Sequence, residues 1–471
     1  MLLKTIDLGM KRLSAKATFH TIGGMLLWVF VAAADTTRVE IIVDAELAAG
    51  GLIAQKFNRY VSDIVKQGYQ PTVTEDSFED AAALRSYLAS QYASGGLGGA
   101  ILVGDVPIAM YEYDGERFPC DLYFQDLDGV WEDSDNDSYL DKHTGDVIPE
   151  IWIGRLLTSK LTSLHEGRTE ASLLNDYFDK NHAYRTGRLS INPRGLVYVD
   201  DDWTSSGVLN RYIILKSLPG GCTLVDKFVD GQYVKYEYDT TKIDLIDDET
   251  TTSASHYKQQ LRNNEYESVF LASHSNAHEH TMSGKVKAED LSEVDPQSFF
   301  FMLFACSNAN FTKNGYMTGE YVFGTSKGLV AMGSAKTGGI LYAGVKGFYP
   351  HLGDGKSYGE ALRLMFRSFE AGWNSSTVFN YYGTVLVGDP LLKTQQFQNT
   401  QTAVIASAPP RIMHSNRQPV ATRGYLAPLS ILHSSSPKNA RTLRVDGRAL
   451  KAKSHEMQSA AAGVYLFYQA D

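Results

Sequence analysis

Residues 299–310 read FFFMLFACSNAN: seven apolar residues, a cysteine, then a polar turn. A strand that is apolar throughout, rather than alternating, is one covered on both faces. That is the habit of parallel sheets flanked by helices. Upstream, Ser268–Ala272 (SVFLA) ends in Ser273-His274, and Gly195–Val199 (GLVYV) ends in Asp200-Asp201-Asp202. Downstream, Leu329–Met332 (LVAM) ends in Gly333-Ser334, and Ser357–Ala371 reads as a helix. Nearer the N-terminus the pattern is strand Val39–Val43, then a helical spacing at Leu52, Ile53, Phe57, Tyr60, Val61 and Ile64 that Gly68 stops. Strand Pro71–Thr74, helix Asp80–Tyr92 and strand Ala100–Val103 follow. Strand–helix alternation at this spacing predicts parallel βαβ units and an α/β fold. Ligands of such sheets bind beyond the carboxyl ends of the strands, where the three aspartates, His274 and Cys306 all fall.

A cysteine after an apolar strand has two readings. It can be inert and buried, as free cysteines commonly are. It can also be a nucleophile, because Cys306 lies past the strand end and before the polar Ser307-Asn308-Ala309-Asn310. His274 holds the same place after its own strand, 32 residues earlier. That gap is long enough for a parallel crossover. If the two strands are neighbours, thiol and imidazole share one cleft, with a base to activate the sulfur and backbone N–H groups to hold an oxyanion. Position alone leaves both readings open.

The whole chain has 471 residues, 44 Lys and Arg against 54 Asp and Glu, and a net charge of −10. It is long enough for two or three domains, and nothing in the charge favours nucleic acid. Three cysteines, Cys120, Cys222 and Cys306, exclude a disulfide framework. Ile22–Ala34 (IGGMLLWVFVAAA) is uncharged over 13 residues, follows Lys11, Arg12 and Lys16, and ends in small residues before Asp35. This fits a cleaved export signal over residues 1–34, starting at Met1 or Met10, better than a membrane span. From Thr400 onward nine basic residues stand against three acids, so this stretch is +6 and the rest of the chain about −16. Short β-like runs at Thr442–Val445 and Val464–Tyr468 suggest a small β module or a poorly ordered tail.

Between Asp121 and Glu150 ten acids face one base, Lys142. Asp133-x-Asp135-x-Asp137 sends alternate carboxylates toward one point, as calcium loops do. The EF-hand pattern is not met, because Ser138 and Thr144 stand where Gly and Glu belong. The expected ligands are Asp126, Asp128, Asp133, Asp135 and Asp137, and a solvated acidic loop is the alternative. His274, His278 and His280 lack the H-E-x-x-H order of zinc hydrolases. His278 and His280 are expected to line the cleft or face solvent.

Six stretches in order resemble the gingipain family of clan CD cysteine peptidases. They are Leu102-Val103-Gly104-Asp105, Asp121–Phe124 with Asp126–Gly129, Ile153–Leu156, Ser273-His274-Ser275, Phe304–Asn308 and Val387–Leu392. The resemblance spans roughly residues 38–395. It implies an α/β, caspase-like fold of parallel sheets flanked by helices in two subdomains, 35–160 carrying the acidic loop and 161–398 carrying catalysis. Residues 399–471 would be the C-terminal β module, which faintly resembles the sorting domains of secreted bacterial proteins.

The resemblance further implies a cysteine endopeptidase with Cys306 as nucleophile and His274 as acid and base. Asp202 would orient the histidine, and the N–H groups of Ser275 and Cys306 would form the oxyanion hole. Ser275 stands where the family often has Gly. Ser334, Ala335, Lys336 and Thr337 would wall the substrate pocket. Thr204–Leu218 has no acid, so preference for a basic side chain at the cleaved bond is not implied. Structural calcium, protein or peptide substrates, and export to the cell surface or beyond by secretion machinery reading the tail complete the expectation. The alternatives are an inactive binding or adhesion protein of the same fold, and a zinc hydrolase.

Overall fold

The computed structural model describes residues 37–75, 78–145, 148–229, 232–339, 342–368, 381–398 and 411–414. The expected export signal, the end of the helix toward Ala371, Asp146 and all of the expected C-terminal module except 411–414 lie outside these residues.

Among the described residues, one mostly parallel sheet of eleven strands organises the chain. In chain order they are β1 (Arg38–Val43), β2 (Gln70–Glu75), β3 (Leu97–Val103), β4 (Trp152–Leu156), β5 (Gly195–Val199) and β6 (Ile243–Ile246). Then come β7 (Tyr266–Ala272), β8 (Ser298–Phe304), β9 (Val330–Ser334), β10 (Thr384–Gly388) and β11 (Arg411–His414). Their order across the sheet is β6-β5-β7-β8-β9-β10-β4-β3-β1-β2-β11. Every adjacent pair is parallel except β9 and β10. The sheet therefore changes direction once. The carboxyl ends of β5, β7, β8 and β9 lie at one end, and those of β1 to β4 at the other.

The expected halves, 35–160 and 161–398, thus share a single sheet. The joint is built at Gly388, whose φ of +105° suits glycine and whose missing Cβ would lie 2.2 Å from the Leu329 carbonyl oxygen. Next to it, Asp389 is fully buried. Its carboxylate accepts from Asn181 Nδ2 at 2.9 Å and pairs with Arg185, both on the helix Glu170–Arg185. The stretch Val387–Leu392 is therefore a structural joint.

Strand residues on both faces are buried. Along β5 and β7, Tyr198 and Leu271 enter one core while Val197, Val199, Phe270 and Ala272 enter the other. Helices cover each face, as the unbroken apolar runs require. The helix Ala54–Lys66 buries Phe57, Tyr60, Val61 and Ile64 on one stripe. The helix Ala81–Ala93 starts where Asp80 accepts from the Ala83 N–H at 2.7 Å. Among the described residues no helix is long and apolar enough to cross a membrane.

Candidate active site

β7 and β8 are direct neighbours, in parallel register from Tyr266↔Ser298 to Ala272↔Phe304. His274 and Cys306 each lie two residues beyond that last rung. Adjacent strands thus deliver both side chains to one edge. β5 flanks β7 on the other side, with Val199 opposite Ala272. The Asp200 N–H continues the ladder by donating to the Ala272 carbonyl at 2.9 Å, and the Ser273 N–H donates to Phe304 O at 3.2 Å. The three strand ends are tied together just below His274 and Cys306.

The turn after β8 is held from inside. Asn308 is fully buried, and its amide donates to the carbonyls of Leu303 at 3.3 Å and Ala305 at 2.5 Å. Thr318 Oγ1 donates back to Asn308 Oδ1 at 2.8 Å. Ser307 takes φ = +53°, a conformation that non-glycine residues adopt at some cost. Its N–H donates to Lys336 O at 2.8 Å. Cys306 is half-buried, and its Sγ accepts the Gly338 N–H at 3.4 Å. All three cysteines are free thiols, and Cys120 is fully buried.

His274 Nε2 bonds to Asp202 Oδ2 at 2.6 Å. Since an ionised carboxylate only accepts, Nε2 carries the proton and Nδ1 is left as the basic nitrogen. Both partners are well exposed, 57% and 60% at the side chain, so the bond orients the ring and contributes little to stability. Trp203, which the sequence reading missed, braces the same ring. Its indole stands edge-on to His274 at 4.7 Å and to Phe304 at 6.0 Å, bridging the ends of β7 and β8. Asp200 is buried, and burial pushes its pKa up. Among the three aspartates, Asp202 makes the bond to the histidine.

His274-Ser275 pairs antiparallel with Glu279–Met282, in register His274↔Thr281 and Ser275↔His280. The Asn276 N–H donates to Glu279 O at 3.0 Å, making that the hydrogen-bonded rung. Bonded and non-bonded rungs alternate in antiparallel pairs, so the Ser275 N–H points away from its partner strand. The Cys306 N–H donates to no group among the described residues. The register and the hydrogen bonds thus leave the N–H groups of Ser275 and Cys306 both without a strand partner among the described residues.

His280 corrects an expectation. It neither lines the cleft nor faces solvent; it is fully buried, 5.8 Å from the Tyr321 ring, with Nδ1 at 3.2 Å from Ser275 Oγ. Burial holds its pKa at about 3. His278 is exposed. The three histidines do not converge on one point; among the described residues the groups that could share an ion are acidic.

The pocket residues divide. Ser334 and Ala335 are enclosed and support their loop from behind: Ser334 Oγ donates to Lys336 O at 2.9 Å, and the Ala335 N–H donates to Gly383 O at 2.7 Å. Lys336 is also enclosed, at 1% exposure. Thr337 is exposed, and its N–H donates to Glu116 Oε1 at 2.8 Å. Glu116 was not foreseen. It sits on the hairpin Met110–Tyr113 and Glu116–Pro119, whose Asp114-Gly115 turn is a hairpin signal the sequence does carry.

The five expected calcium ligands do not form one set. Asp126, Asp128 and Glu150 make one group, and Asp133, Asp135 and Asp137 another. Asp126 is buried and engaged on both oxygens, by the Gly129 N–H at 2.8 Å and His143 Nε2 at 2.5 Å. His143 in turn bonds Tyr382 OH and stacks on Trp131. The crowded acids also draw cations from just outside the segment. Arg155 binds Asp121 through Nε and Nη2 at 2.7–2.9 Å, and Arg117 pairs with Asp137. Counting charges within the segment could not see these.

A family model described as peptidase family C25 matches residues 53–395. No curated protein matches the chain.

Proposed function

We propose that this chain, which belongs to peptidase family C25 and is a cysteine peptidase, cleaves bonds within proteins through Cys306, with His274 as acid and base. The observation that carries the reading is the register of β7 and β8, which sets His274 and Cys306 two residues past the same rung. The Cys306 thiol gives its proton to His274 Nδ1, and the thiolate attacks the substrate carbonyl carbon. The oxygen that gains the charge is met by the N–H groups of Ser275 and Cys306. As the C–N bond breaks, the imidazolium protonates the leaving amine, and a thioester remains on Cys306. Water then attacks the thioester while His274 takes its proton, and the thiol returns with release of the acid. Asp202 keeps Nε2 protonated throughout.

Iodoacetamide should abolish peptide hydrolysis, while phenanthroline should leave it intact. The opposite pattern would overturn the thiol mechanism in favour of a metal hydrolase. Export through residues 1–34 and sorting through the tail belong to the same reading, supported by the sequence features above. N-terminal sequencing of the secreted protein should begin at Asp35.

We also propose that Ca²⁺ binds at Asp133, Asp135 and Asp137, whose carboxylates offer oxygens within 4.8 Å of one another. Loss of hydration and the charges of Asp137 and Asp133 push the Asp135 pKa up. Calcium supplies ligation where there was repulsion, and should raise the unfolding temperature by mass action. Calorimetric titration of metal-stripped protein should give heat, and Asp135→Asn should weaken it. No heat and no thermal shift up to millimolar calcium would leave a solvated loop.

A further inference from the structure

Lys336 is enclosed beside the nucleophile, yet the mechanism above gives it no task. Its carbonyl accepts the N–H of Ser307, the residue after Cys306, at 2.8 Å. Two residues on, the Gly338 N–H meets Cys306 Sγ at 3.4 Å. Its ammonium donates to Thr337 O, faces Glu116 Oε2 at 3.9 Å and lies 5.5 Å over the Phe118 ring. Glu116 Oε1 also accepts from Thr337 N at 2.8 Å and Oγ1 at 3.2 Å. One carboxylate from the hairpin Met110–Pro119 therefore grips two successive residues of the loop that touches the sulfur.

We propose that Lys336, pinned by Glu116, is a positioning residue for Cys306: it holds residues 334–338 against the nucleophile turn and so keeps the Gly338 N–H on the sulfur. A lysine with 1% exposure has lost its hydration, so its charge needs anions nearby. Burial pushes its pKa down, and Glu116, the Cys306 sulfur and Asp114 oppose that push in this order. The groups that bear on the sulfur are thus Lys336 and the Gly338 N–H from the loop after β9, Glu116 and Asp114 from the hairpin, and His274 with Asp202 from the ends of β7 and β5. Lys336 and an imidazolium are the cations in that set. Removing the ammonium frees the loop and with it the Gly338 N–H on the sulfur, and losing a donor raises the pH at which a thiolate forms. The arrangement also makes the nucleophile depend on a hairpin distant in sequence.

This inference rests on Cys306 being the nucleophile, and its test reads the thiol directly. The rate of Cys306 alkylation by iodoacetamide is followed against pH, with the labelled residue identified by mass spectrometry so that Cys222 does not interfere. Lys336→Met should move the profile toward higher pH and slow alkylation on its rising limb about tenfold, since the thiolate is the reacting form. Lys336→Arg should restore most of the rate. Glu116→Gln removes the anion that pins the ammonium and Thr337 and should move the profile in the same direction, by less. An unmoved profile in folded Lys336→Met would overturn the proposal. Should that variant not fold, an unmoved profile in Glu116→Gln, a half-exposed site, would do the same. Peptide hydrolysis by Cys306→Ala is measured alongside. If that variant is inactive while the profiles do not move, the inference fails and the nucleophile stands; if it remains active, the nucleophile assignment itself fails.

Discussion

His274 keeps its tautomer through one exposed hydrogen bond, and exposure limits what that bond can contribute. Surface ion pairs are worth about 0–1 kcal/mol, so Asp202→Asn should lower kcat by roughly tenfold or less, 1.4 kcal/mol being a factor of ten. His274→Ala removes the proton carrier and should cost on the order of 10³-fold. Steady-state kinetics on the two variants separate these effects, and equal losses would mean that Asp202 does more than orient the ring. His280 works differently, behind the site. Its Nε2 is buried without a partner, so protonation would enclose an unpaired N–H. Its folded pKa of about 3 lies below the ordinary ~6.5. Between those values the unfolded chain binds a proton that the folded chain refuses. Stability contributed by His280 is therefore full above about pH 6.5 and is lost as the pH falls through this window, at up to about 1.4 kcal/mol per pH unit. His280→Gln should flatten the pH dependence of urea unfolding between pH 6 and 5 by about 1 kcal/mol. A parallel dependence in the variant would show that His280 is not responsible.

At the scale of elements, the nucleophile turn depends on Asn308, whose amide ties two carbonyls and whose carbonyl oxygen is held by Thr318. Asn308→Ala strands these buried groups and should cost about 2–3 kcal/mol. It should also lower kcat, because Ser307 then has less to hold it at φ = +53°. An unaltered melting curve would contradict the clamp. The strands bearing this turn were legible because a short, unbroken apolar run bounded by polar turns suits a strand covered on both faces. Phe299–Ala305 was expected and Ser298–Phe304 is found. Gly195–Val199 was read to its residue. What escaped the sequence was contact between distant elements. Trp203 follows the three aspartates in plain view, but nothing local says that its ring bridges two strand ends. Glu116 reaches Thr337 across more than 200 residues. His280 was misread because His274, His278 and His280 looked like one polar cluster. Alternation along the strand Glu279–Met282 turns His280 into the core, and period two was the signal available. The partners of the acidic segment escaped for a similar reason, since Arg117 and Arg155, which pair with Asp137 and Asp121, lie outside it.

At the scale of the molecule, the antiparallel contact between β9 and β10, the one such pair in the large sheet among the described residues, joins two oppositely directed sets of parallel strands. Gly388 sits at that contact with the Leu329 carbonyl where a Cβ would go. Gly388→Ala should destabilise the fold by at least about 2 kcal/mol in urea unfolding, through strain at positive φ and displacement of β9. Full stability would mean that the joint is looser than described. The same joint fixes β9, and through it the loop that touches Cys306, so the integrity of the sheet and the reactivity of the thiol are linked. The claim on which everything else depends is that Cys306 performs the chemistry. The most direct measurement is kcat/KM for a cleaved peptide in Cys306→Ala beside wild type, with both melting temperatures. We expect hydrolysis to fall by on the order of 10³-fold or more, with the melting temperature nearly unchanged, because the half-buried sulfur contributes little packing. Activity within about tenfold of wild type, in a variant that melts normally, would contradict the assignment of Cys306 as nucleophile.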